Sequence, residues 1–170
     1  MLTEVDAQLA SACHKPITTA IASVGVGSWA QAVAAHYGPA TGSSHPHVQI
    51  VTVEPEHAAC LQESLRQDAM TTVETQATIM NGMNCGTVSS IAWPVLRERV
   101  DVAIAVGEWE AHECVREFEG RGLDVGPCGA ATLAAARRLL EAGLLGTGED
   151  EVVVLFSTEG RRGHPVPSPP

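Results

Sequence analysis

Apolar positions along this chain follow two alternating rhythms. Leu2, Val5, Leu9 and Ala12 recur at helical spacing with acidic residues early in the run, which predicts a helix over 2–13. The β-branched run "ITTAIASV" then predicts a buried strand from Ile17 to Val24, and "SWAQAVAAHY" a helix ended by Gly38-Pro39. "HVQIVTVEP" reads as a second strand and "HAACLQESLRQ" as the helix after it. Residues 69–86 follow neither period, and "NGMNCG" is turn chemistry. "TVSSIAWPVLRERV" reads as a helix with Ser/Thr caps, in which Pro94 marks a kink or a first turn. "DVAIAV" is a third strand, "EWEAHECVREFEGRG" and "PCGAATLAAARRLLEAG" are helices stopped by glycine, and "EVVVLFSTEG" is a last strand running into a polar turn. These strands are continuous apolar runs, the mark of strands covered on both faces. The expected architecture is therefore α/β, with three layers: a mostly parallel sheet and helices on both faces. Residues 1–160 make up this unit, and the Pro-rich "RRGHPVPSPP" at 161–170 is expected to be a disordered tail.

Composition narrows the partners. The chain has 170 residues, enough to bury roughly 70% of the surface it exposes unfolded. With 45% apolar and 18% charged residues it is an ordinary globular mixture. A net charge of −10 argues against nucleic acid and against an anionic membrane surface, both of which require clustered Lys and Arg. The adjacent basic pairs, Arg137-Arg138 and Arg161-Arg162, read as a solvated helix face and part of the tail. No apolar run approaches the ~20 residues that span a bilayer, and "MLTEVDAQ" lacks the profile of a signal peptide. A cytoplasmic location is the expectation. The five cysteines (Cys13, Cys60, Cys85, Cys114 and Cys128) are odd in number and form no C-x-x-C pair, so free thiols are expected. His36, His45 and His47 fall close together without a zinc spacing, and no metal is expected; His14, His57 and His112 read as surface residues.

The stretch "SVGVGSWAQA" follows the first strand and opens a helix. Glycines there let the backbone approach a phosphate, and the helix start offers unpaired N–H groups and a positive dipole end. Gly25, Gly27 and Ala30 also fit the G-x-G-x-x-G/A spacing of a dinucleotide turn, with Glu54 at the end of the next strand as a ribose-binding acid. The segment alone leaves three readings open: a tight turn with no ligand, the phosphate of another cofactor, or a dinucleotide. Glu54, just before Pro55, has a plainer reading as a cap for the following helix.

Later segments bear on the choice. "TIMNGMNCGTVSSIAWPVL", "GPCGAATLAA" and "VVVLFSTEG", in that order after "VDAQLA" and "SVGVGSWAQAVAAHY", resemble the pyridoxal-phosphate (PLP) enzymes of the tryptophan-synthase-β fold, fold type II. Within that superfamily the chain looks most like the C-terminal half of diaminopropionate ammonia-lyase. The resemblance implies PLP as cofactor, its phosphate cradled by Val24, Gly25, Val26, Gly27 and Ser28. It also implies a hydroxyl facing the pyridine nitrogen from Ser157 or its neighbour Thr158, and a cofactor ring lined by the turn that begins at Gly82. Cys128 is either a pocket wall or a buried structural thiol. The implied reaction is α,β-elimination of a small amino acid, such as diaminopropionate, to pyruvate and ammonia.

The sequence departs from that family in one respect. The family's Schiff-base lysine and main catalytic acids lie upstream of the segments matched here, and this chain has a single lysine, Lys15. It sits before the first strand, about seven extended residues or ~23 Å from the glycine turn, and at the amino end of the sheet. No catalytic residue is therefore assigned. The expectation is a portion of a PLP enzyme that is inactive alone, either a fragment or one half of a split enzyme, self-associating or paired with a complementing half. The competing expectation is a non-catalytic nucleotide- or PLP-binding module.

Overall fold

The computed structural model describes residues 1–12, 15–38 and 47–170. Its elements in chain order are α1 (Leu2–Ala12), β1 (Thr19–Ser23), α2 (Ser28–Tyr37), β2 (Gln49–Pro55), α3 (Cys60–Gln67), α4 (Trp93–Arg99), β3 (Val102–Val106), α5 (Glu108–Gly120), α6 (Pro127–Glu141) and β4 (Val153–Leu155). The four strands form one sheet in the order β3-β2-β1-β4, and every pairing is parallel.

Alternating side chains divide the core into two clusters, one on each sheet face. Ala20, Ala22 and Ile50 pack with Val33, Ala34, Leu61 and Leu96, from α2, α3 and α4. Ile21, Val51 and Val53 point the other way, into Ala111 and Val115 of α5 and Ala131, Ala135 and Leu139 of α6. Burial on both sides explains why β1 is a run of five buried residues and not an alternating one. The three-layer α/β fold expected from the sequence is the fold observed.

Two element boundaries differ from the sequence reading. The helix expected from Thr87 begins at Trp93, with Pro94 in its first turn. Residues 87–92 stay outside it and reach back to the glycine turn, where Ser89 N–H donates to Val26 O at 2.9 Å. The last strand, expected to start at Glu151 and run into a polar turn, is confined to the three residues Val153–Leu155. Phe156 N–H still donates to Ile21 O at 3.1 Å, and beyond it the chain turns towards the start of α6.

Chain order within the sheet locates the crevice. From β1 the chain passes outward to β2 and β3, then returns through α5 and α6 to add β4 on the other side of β1. The direction of winding thus reverses between β1 and β4. In open α/β sheets such a switch point opens a crevice at the carboxyl ends of the strands. The edge strand β3 is closed by side chains: Gln62 Nε2 donates to Ala103 O at 2.9 Å and Arg138 Nη1 to Ala105 O at 2.6 Å. Arg138, read as solvated from sequence, also bonds Glu56 and Glu110. Burial alone would raise the Glu110 carboxyl, but Arg138 and the Gly107 N–H hold it below its ordinary value.

Candidate functional site

The turn between β1 and α2 lies at this switch point. Gly27 is the N-cap of α2, with φ +94°, a left-handed conformation in which a side chain is strained. A Cβ there would also lie 2.8 Å from Leu96 Cδ1. Having no side chain, Gly27 leaves the first N–H groups of α2 without a side-chain cap, facing the crevice mouth with the positive end of the helix dipole. Val24 is buried, and its N–H donates to Val53 O at 2.9 Å, so the turn starts from a fixed sheet position. Val26 and Ser28 are exposed.

Three further segments converge on this turn. At Gly25 a Cβ would lie 2.7 Å from Gly82 O and 3.2 Å from Cys85 Sγ, so the turn is in direct contact with the "GMNCG" segment. At Gly82 a Cβ would meet Cys128 Sγ at 3.3 Å, which brings in the first turn of α6. At Gly129 a Cβ would run into Ser157 Oγ, so the absent side chain makes room for that hydroxyl. Sheet register brings Ser157 beside the end of β1, two residues beyond the pair Ile21 and Leu155. Residues 24–28, Gly82, Cys128 and Ser157 thus border one mouth, while Thr158 is exposed next to it. Cys128 is buried and its thiol is pushed up to about 11 by burial, with the Glu159 carboxylate adding to the effect. A thiol kept protonated suits a wall and not a nucleophile.

Glu54 is not part of this mouth. It is fully buried at the end of β2, where its carboxylate accepts the Leu61 N–H at 2.7 Å and the Gln62 N–H at 2.8 Å, capping α3. The ribose-binding role weighed from sequence is corrected here, since a carboxylate so enclosed has no face left for a ligand. Burial raises its carboxyl from an ordinary 4.5 to about 7, against the pull of those two N–H bonds. Burial, with Glu54 next, also pushes the neighbouring Cys60 thiol up to about 12.

Lys15 is at the other end of the sheet. Its Nζ donates to Glu149 O at 2.5 Å and lies 3.2 Å from Asp150 Oδ1, among the residues that lead into β1 and β4. His36 pairs with Asp6 at 2.7 Å and His47 with Asp101 at 3.0 Å, so these two histidines do not converge; His45, with Cys13 and His14, lies outside the described residues. Among the described residues no group of three or more His, Cys, Asp or Glu has a metal-holding geometry, and the four described cysteines are free thiols. No helix among them is long and apolar enough to cross a membrane.

His112 departs from its sequence reading as a surface residue. It is buried, and its Nδ1 lies 2.9 Å from His164 Nε2 in the tail. Burial, and then His164, hold it below the usual histidine range. No local pattern connects residues 52 positions apart, so the sequence holds no signal for this pair.

A parallel sheet with an uncapped helix start at its switch point is the arrangement of α/β proteins that hold phosphorylated small molecules. The chain belongs to the pyridoxal-phosphate-dependent enzymes: the family model described as "Pyridoxal-phosphate dependent enzyme" matches residues 1–158. Members of this family bind pyridoxal phosphate. The chain is 28% identical over 107 residues to the serine racemase of Schizosaccharomyces pombe, covering 61% of this chain and 33% of that protein. It is 32% identical over 112 residues to the diaminopropionate ammonia-lyase of Salmonella typhimurium, covering 64% and 27%. Among solved structures, the threonine deaminase of T.th. superposes with a TM-score of 0.76 at 28% identity, over 96% of this chain and 55% of that one. Diaminopropionate ammonia-lyase from Escherichia coli shares the fold, with a TM-score of 0.72 at 22% identity over 94% and 43%. The chain thus spans about a third of these two curated relatives and about half of these two structures.

Proposed function

We propose that these 170 residues are the cofactor-phosphate-binding portion of a PLP-dependent ammonia-lyase-like protein, which by themselves carry out no elimination. The single observation behind this reading is the placement of two features on one sheet. The glycine turn is at the carboxyl ends of the strands and the one lysine, Lys15, at the amino ends. The residues present fit the phosphate end of the cofactor. The uncapped start of α2 offers N–H groups, Gly25 and Gly27 leave no Cβ in the way, and the exposed Ser28 can add its hydroxyl.

When bound, the cofactor supplies a sink for the electrons released at the substrate α-carbon. The chain's own share is positional. N–H groups of residues 25–28 would hold the phosphate, and the Gly82 turn would line the ring. The Ser157 hydroxyl, with Thr158 next to it, would offer the ring nitrogen a hydrogen bond without protonating it. In the assembled protein the reaction would be α,β-elimination of the β-amino group of diaminopropionate or a related amino acid as ammonia, after which water hydrolyses the released enamine, as its imine, to pyruvate and ammonia. The upstream half would supply the Schiff-base lysine and proton-transferring groups. Val26 is 46% and Ile91 76% exposed, and Ser89, two residues before Ile91, donates its N–H to Val26 O. That apolar face beside the cradle is where the complementing half, or a second copy of this chain, is proposed to sit.

A labelling experiment tests this reading. The purified chain is mixed with equimolar PLP, reduced with borohydride and mapped by mass spectrometry, and diaminopropionate is offered before reduction. The expected result is no stoichiometric pyridoxyl adduct on Lys15 and no pyruvate, with saturable binding of PLP that inorganic phosphate competes away. A stoichiometric Lys15 adduct with pyruvate formation overturns the inactive reading. PLP binding that phosphate fails to displace overturns the cradle.

A further inference from the structure

Beyond β4 the chain is held against the body by a series of side-chain contacts. Gly126 N–H donates to Glu159 O at 2.9 Å, and Cys128 N–H to Glu159 Oε2 at 2.8 Å, so Glu159 caps the start of α6. Arg161 pairs with Glu119 of α5 at 2.8 Å. Arg162 Nη2 donates to Ile79 O at 3.1 Å and approaches Cys128 Sγ at 3.9 Å. Its Nε lies 2.8 Å from Glu159 Oε1, an ion pair whose angle makes no hydrogen bond. His164 closes the series on His112. Residues 159–164 therefore cross from the start of α6 onto α5 without helix or strand of their own.

Ile79 is where this strap meets the candidate site. It begins the 79–86 segment, whose Gly82 touches the glycine turn. Its peptide is gripped from both sides. The Ile79 N–H donates to Glu108 Oε2 at 2.7 Å, with Thr78 Oγ1 on the other carboxylate oxygen at 2.5 Å, and the Ile79 C=O accepts from Arg162. Cys128, which Arg162 also touches, is the side chain behind Gly82.

We propose that residues 159–164 are a strap that fixes the 79–86 wall of the cofactor site, with Arg162 as the positioning residue. Arg162 makes no hydrogen bond or ion pair with the phosphate turn or Ser157 and acts through Ile79 O and Cys128. The effect on the wall stands on these contacts alone; its effect on PLP rests on the function proposed above.

Hydrogen exchange measured on the full chain by mass spectrometry tests this. In Arg162→Ala, amides of residues 79–86 are expected to exchange about tenfold faster, the loss of one charge-assisted hydrogen bond, while α2 and α3 keep wild-type protection. Arg162→Lys keeps a donor for Ile79 O and is expected to recover most of the protection. His164→Ala loosens the far end of the strap with Arg162 in place and is expected to give a smaller rise in the same segment. PLP affinity is expected to fall about tenfold in Arg162→Ala and to return in Arg162→Lys. Unchanged exchange over 79–86 in Arg162→Ala overturns the proposal. So does a uniform rise along the whole chain that lysine fails to rescue. A localised rise in a chain that binds no PLP upholds the strap and overturns the proposed function instead.

Discussion

Glu54→Gln is expected to gain stability relative to the parent chain as the pH is raised from about 4.5 to about 8. Burial raises the folded-state carboxyl from 4.5 to about 7, so the folded chain holds that proton more tightly than the unfolded chain does. The contribution is complete below the unfolded value and is lost as the pH rises through the folded one. Over the window from 4.5 to about 7 the parent is expected to lose roughly 3 kcal/mol that the glutamine variant retains. Two effects compete at this carboxylate. The Leu61 and Gln62 N–H groups at the start of α3 favour the anion, and full enclosure disfavours it. Urea unfolding of both chains at several pH values decides between them. A parent-minus-variant difference that stays flat across this window would mean that the two N–H bonds win and the carboxyl ionises as in water.

Gly25→Ala is expected to have the largest effect on ligand binding. Its Cβ would sit 2.7 Å from Gly82 O, a backbone atom with no flexible side chain to move aside. The turn and the 79–86 wall would have to separate, at a cost of roughly 1–3 kcal/mol in stability. Titration with PLP, followed by tryptophan fluorescence, is expected to lose saturable binding while the far-ultraviolet circular dichroism stays that of the parent. Gly27→Ala is the companion. Its φ of +94° costs a side chain roughly 1–2 kcal/mol, and the new methyl group presses on Leu96. Parent-like PLP affinity in both variants would remove the turn from the binding site.

These two glycines also mark what is legible in the sequence. A strand, a glycine turn and a helix start are local events, each set by a few consecutive residues, and "ITTAIASVGVGSWAQA" displays all three. The boundaries of α2 follow from the sequence for that reason. Residues 87–92 carry Ser and Thr that resemble helix caps, yet tertiary contact decides otherwise. Ser89 N–H is committed to Val26 O, and the helix waits for Pro94, whose missing N–H costs nothing in a first turn. Glu54 has two readings from its position alone, and burial settles between them by placing it beneath α3.

Pattern and composition by themselves determined the alternation of strands and helices, the burial of the sheet on both faces and the turn that opens α2. Each follows from side-chain period or backbone freedom over a handful of neighbours. Ordered resemblance in five segments added the family. Lys15 was legible from its place before the first strand, and the structure finds it there, at the opposite end of the strands from the glycine turn. Tertiary structure alone decided that β4 lies beside β1, that Gly129 leaves room for Ser157, and that Arg162 grips Ile79 from 83 positions away. Such contacts join residues far apart in the chain, and no local period or propensity encodes them; they exist once the sheet has closed and its switch point has formed.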